Sequence, residues 1–188
     1  MKVDQEIDKL KTNIFSADWD KVEESVNRLF EIGGEENFDY LIGLLEKQNS
    51  LIRNAVARAF RANKFNEGLD SLLKAIGKVE NRNERGTMVY ALQNLNCSKK
   101  LKELFDILFS APKNWEVQSD ILTVLEEQEF EFSTTDLKEI QNKWSKIKED
   151  WNEANGIDID NLKEYEIDKE LVQDFVEGYV SYLKTEKN

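Results

Sequence analysis

Histidine is absent from the 188 residues, cysteine and proline appear once each, at Cys97 and Pro112, and glycine only 8 times. Without histidine there is no imidazole acid–base catalyst, no Ser-His or Cys-His nucleophile and almost no route to a zinc site. An enzyme built from this chain would have to work with carboxylates, lysine, tyrosine or backbone groups, so the expectation is a protein without catalysis, cofactor or metal. One cysteine excludes an intramolecular disulfide and reads as a small, half-buried apolar residue. A glycine-rich phosphate loop is also missing: Gly33-Gly34 follows an apolar-periodic run, has no Lys-Ser/Thr behind it, and reads as a helix stop. No apolar run approaches the ~20 residues that span a bilayer. The charged stretch after Met1 resembles no signal peptide, so the expected location is the cytoplasm.

What is abundant is Leu, Ile, Val, Lys and Glu, with little of the alternation that marks strands, and this composition predicts an all-α protein. It also repeats. Aligning VEESVNRLF (22–30), IRNAVARAF (52–60), ERGTMVYAL (84–92) and VQSDILTVL (117–125) puts Val26, Val56, Met88 and Ile121 in one column. Leu29, Ala59, Ala91 and Val124 share a second column, and Phe30, Phe60, Leu92 and Leu125 a third. The start-to-start spacings are 30, 32 and 33 residues, and each segment carries the same helical stripe. Behind the first three lie Phe38, Leu41, Ile42, Leu45, then Leu69, Leu72, Leu73, Ile76, then Leu101, Leu104, Phe105, Leu108, all spaced i, i+3, i+4, i+7. The fourth partner helix, with Leu137, Ile140, Trp144 and Ile147, is longer and starts at a possible capping box, Ser133-Thr-Thr-Asp136.

On these residues the chain resembles the HEAT-like repeats of the short bacterial type, whose first helix carries a Val-Arg-x-x-Ala-Ala-x-Ala-Leu pattern. Ile52-Arg53-Asn54-Ala55-Val56-Ala57-Arg58-Ala59-Phe60 matches it best; Arg85 occupies the arginine position in the third copy, where Glu23 and Gln118 stand in the first and fourth. The resemblance implies a right-handed α-solenoid of about four helix pairs, at roughly 16–48, 49–80, 81–111 and 112–151. A helix over 1–15 with Val3, Ile7, Leu10 and Ile14 on one stripe would cap the N-terminal side. Residues 152–188 read as a loop followed by an amphipathic helix carrying Leu171, Val172, Phe175, Val176, Tyr179, Val180 and Leu183, either a cap or a docking helix. The Asp158–Asp160 DxD lacks the rest of a calcium loop.

The net charge is −12, unevenly placed: residues 50–100 hold 10 basic and 4 acidic side chains, whereas 1–49, 101–151 and 152–188 each carry −6. Two readings of the belt stay open. The resemblance implies that Arg53 and Arg85 pair with acids of a neighbouring repeat. Alternatively Arg53, Arg58, Arg61, Arg82 and Arg85, with Lys64, Lys74 and Lys78, form an anion-binding or nucleic-acid-binding surface, as in the HEAT-like alkylpurine DNA glycosylases. Second helices of HEAT-like pairs line the concave side, which makes Tyr40, Lys47, Lys74, Lys78, Lys102, Asp106 and Lys143 the expected partner-facing set. The leading expectation is a non-catalytic protein-binding module, monomeric in isolation. It resembles acidic immunity or antitoxin proteins that neutralise a basic toxin domain, with charge accelerating capture.

Overall fold

Helix ends fall where side chains or glycines can satisfy the orphan backbone groups. Asp18 accepts from the N–H groups of Asp20 and Lys21 at the start of α2 (Trp19–Ile32), and Gly33, at φ 70°, ends it with its N–H on the Leu29 carbonyl. Asn49 caps α4 (Ser50–Asn63) and Asn114 caps α8 (Trp115–Glu127). Both halves of the Ser133/Asp136 capping box form at the head of α9 (Thr134–Ile147). The structure, a computed structural model, describes residues 2–157 and 167–185; Asp158–Asp160 lie outside the described residues. It is all-helical, with no strand among the described residues.

Two compact units divide the chain, Met1–Asn96 and Cys97–Asn188, and the boundary falls inside the pair expected over 81–111. In the first unit α1 (Lys2–Asn13) packs on α2, α2 on α4, and α4 on α6 (Gly86–Ala91), so the first helices of successive pairs lie side by side. The partner helix α3 (Glu35–Leu44) touches both α2 and α4, and α5 (Leu69–Gly77) touches α6. In the second unit α7 (Leu101–Phe109) packs on α8 and α9, and α9 on α11 (Lys169–Val180), so here the second helices succeed one another. Short helices α10 (Trp151–Asn155) and α12 (Tyr182–Thr185) complete it.

The aligned columns form the cores of both units. Val26, Val56, Met88, Ile121, Leu29, Ala59, Ala91, Val124, Phe60, Leu92 and Leu125 are all buried, and only Phe30 of the twelve is half-buried. Phe30 faces a cluster of rings, with Phe38 and Phe65 both at a 5.1 Å centroid distance and Phe60 at 6.4 Å. Two elements depart from expectation. The third first-helix is shortened to α6 and tightens into a 3-10 turn over Leu92–Asn94. Of the N-terminal stripe, Ile14 is buried and Ile7 and Leu10 half-buried, but Val3 is exposed.

Candidate interaction surface

The repeat position occupied by Arg53, Arg85 and Gln118 is where charge enters the core, at 1%, 2% and 2% exposure. Each is a multi-donor side chain reaching back to a carbonyl at or just beyond the end of the preceding helix. Arg53 donates from Nη1 to the Lys47 carbonyl at 2.7 Å, Arg85 to the Ile76 carbonyl at 3.4 Å, and Gln118 to the Ala111 carbonyl at 3.1 Å. Arg53 also reaches forward, with Nη2 3.1 Å from Glu84 Oε2, as Gln118 Nε2 does to Asn155 Oδ1 at 2.6 Å. Arg85 is pulled below its ordinary pKa by burial first and by Arg82 second. Arg53 and Arg85 are therefore corrected out of the anion-binding set: buried guanidiniums committed to helix ends offer nothing to an external anion.

Half of the remaining basic belt, Arg58, Lys74 and Lys78, is paired with carboxylates of its own unit. Arg58 Nε lies 2.6 Å from Glu23 Oε1, and the guanidinium stands 5.8 Å from the Trp19 ring. Lys74 and Lys78 both bind Glu46, whose carboxyl they hold below its usual pKa, Lys78 foremost. Arg61 lies over the Tyr90 ring at 4.1 Å, with its Nε buried and unbonded. Arg82 and Lys64 are exposed and carry no ion pair among the described residues; Lys64 closes α4 in the left-handed conformation.

The expected partner-facing residues divide in the same way. Tyr40 is half-buried beneath Lys11 Nζ, 4.8 Å from the ring centre, and burial raises its phenol pKa. Lys47 is exposed. Lys102, Asp106 and Lys143 come together: Lys143 Nζ is 2.5 Å and Lys102 Nζ 3.5 Å from Asp106, with Glu139 3.6 Å from Lys102. Burial pulls the Lys102 ammonium down, but Asp106 and Glu139 outweigh it and leave its pKa raised. Lys102–Asp106 lies within α7, while Lys143–Asp106 and Lys102–Glu139 join α7 to α9; such partly exposed pairs are worth little individually.

Sequence reasoning passed over a second surface. The apolar stripe of α11 splits in two. Val172, Val176 and Val180 are buried, while Leu171, Phe175 and Tyr182 remain exposed or half-buried. Beside that outer face runs an open groove of about 500 Å³ between the end of α8 and α11, lined by Glu126, Asp174, Phe175, Gly178, Tyr179 and Tyr182 together with Leu125 and Gln128. Among the described residues no lysine or arginine lines it. Tyr179 donates to the Leu125 carbonyl at 2.9 Å and is pushed up to about 12 by burial and then by Tyr182. Phe132 packs edge-on against both tyrosines, at 6.0 and 5.3 Å. The i, i+4 spacing of Gly178 and Tyr182 on an acidic face was the available signal.

Cys97 is buried, and burial raises its thiol to about 12, which leaves it a chemically quiet packing residue. Among the described residues no group of three or more Cys, Asp or Glu side chains could hold a metal ion, and no helix is long and apolar enough to cross a membrane. No protein-family model, curated protein or solved structure matches the chain.

Proposed function

We propose that the chain is a short HEAT-like α-solenoid of about four helix pairs acting as a non-catalytic protein-binding module. Its partner would be a basic protein domain, of the kind that an acidic immunity or antitoxin protein neutralises. The repeat reading is supported by the side-by-side order of like helices within each unit. The second-position donors support it too, each tying the helix end before it. Single pairs of ~30 residues bury too little apolar surface to fold alone, and succession supplies the missing neighbour.

The observation that carries the binding reading is where the positive charge goes. Arg53, Arg58, Lys74, Lys78, Lys102 and Lys143 are all occupied by carboxylates of the same chain, although acids outnumber bases 38 to 26. The surplus is negative and outward, suited to steering a cationic partner. The same pairing disfavours the nucleic-acid reading, since phosphate contacts need free Lys and Arg.

Affinity capture from native lysate at low salt, with identification of what is retained, tests this. The expected result is a basic protein released as salt rises. Retention of nucleic acid, or of nothing, overturns the reading.

A further inference from the structure

The groove between α8 and α11 has three properties that a surface left over from folding does not require together. Its rim is acidic: Glu126 and Asp174 are exposed and make no ion pair among the described residues. Glu46, Asp106 and Glu149, by contrast, are each met by a lysine. Its walls are aromatic, with Phe175, Tyr179 and Tyr182 contributing from α11 and the residues after it. And one wall position is Gly178, inside α11, where glycine is the costly choice for a helix.

Packing does not account for that glycine. A Cβ built on Gly178 meets nothing within 4 Å, in contrast to Gly68, whose Cβ would come 2.2 Å from the Phe60 ring. The space beside Gly178 is open, as it is at Gly43 and Gly77, and on the groove side it leaves room for an occupant to approach the helix backbone.

We propose that this groove takes an arginine-rich segment of the partner protein. Carboxylates at Glu126 and Asp174 would pair with its guanidinium groups while the planes lie against Tyr182 and Phe175. A planar, weakly hydrated guanidinium satisfies both demands at once, which a compact ammonium does less well. The inference rests on the protein-binding reading above and adds the chemistry of the contact and its place.

The test is titration of the isotopically labelled full-length chain with an octa-arginine peptide at low ionic strength, followed by backbone amide shifts. Expected shifts gather at Leu125–Gln128 and Asp174–Tyr182. The double variant Glu126→Gln with Asp174→Asn binds about tenfold more weakly. Gly178→Leu abolishes the clustered shifts while its thermal midpoint stays the same or rises, so loss of fold is not the cause. A control pair, Asp8→Asn with Asp39→Asn, leaves the peptide affinity within twofold. Shifts scattered over the whole acidic surface, equal losses from the control pair, or undiminished binding by Gly178→Leu overturn the groove. If Gly178→Leu still captures a basic protein from lysate, the groove fails while the module reading stands; if the parent chain captures none, the module reading itself fails.

Discussion

Arg53 and Arg58 sit five residues apart on one helix and both pair with glutamate, but Arg53 is buried and also donates to the Lys47 carbonyl, whereas Arg58 is exposed. Arg58 is exposed, and an exposed pair gains little against screening and side-chain entropy; Arg58→Met should cost under ~0.5 kcal/mol in urea melts. Arg53→Met strips a buried carbonyl of its donor and empties the guanidinium site, and should cost about 2 kcal/mol by the same measurement. Equal costs would mean that the hydrogen bonds to the helix end contribute nothing. Tyr179 gives the pH counterpart. Its folded pKa of about 12 lies above the ordinary phenol value, so its contribution is fully present below about pH 10. That contribution fades as pH climbs toward 12, because the folded chain holds a proton the unfolded chain has released. Stability measured across that window should fall in the parent and fall less in Tyr179→Phe. Little of this residue-level detail was legible in the sequence. The arginine column was visible at Arg53 and Arg85, but not the fact that Gln118 performs the same task, because glutamine supplies two N–H donors without charge and so breaks a pattern defined by charge.

At the scale of elements, the apolar columns were readable because burial at i, i+3, i+4 and i+7 is a demand that each helix meets locally. Helix length was less so: α6 stops after Ala91, where the backbone tightens, and nothing in ERGTMVYAL announces it. Nor could the division of α11 into a buried valine edge and an exposed aromatic edge be read from a stripe. Both edges are apolar, and only the position of α9 beneath them decides which is covered. The groove escaped for a related reason, since its two walls come from segments far apart in the chain. Phe60 and Gly68 offer the sharpest test of packing between elements. Phe60→Ala should cost ~3–5 kcal/mol as a fully buried ring is lost. Gly68→Ala should cost about 2 kcal/mol by driving a methyl into that ring. In the Phe60→Ala background the second change should cost under ~0.5 kcal/mol, a coupling that thermodynamic cycles read directly. Additive costs would place the Gly68 penalty elsewhere. Removing residues 167–188 uncovers Trp144 and Trp151, whose indole N–H groups bond Gln173 and the Ile167 carbonyl, and should lower the melting temperature of what remains.

For the whole molecule the question is whether local pairs or the net charge governs the response to salt. Exposed ion pairs contribute near zero each, whereas a charge of −12 repels itself over many ångströms and is screened effectively. Raising NaCl from ~10 to ~150 mM should therefore raise the thermal midpoint by a few degrees, followed by circular dichroism. A fall would show that the pairs dominate. The two-way ties at the second repeat position carry a further consequence for how such a chain could be rearranged. Arg53 joins Lys47 behind it to Glu84 ahead, while Gln118 joins Ala111 to Asn155. The two joints speak in different chemistries, one ionic and one amide. Exchanging the segments around them would set a guanidinium before an amide and strand a glutamate with no cation, so the order of the helix pairs is written into their seams, and shuffled or duplicated versions would need their connectors rewritten before they could close.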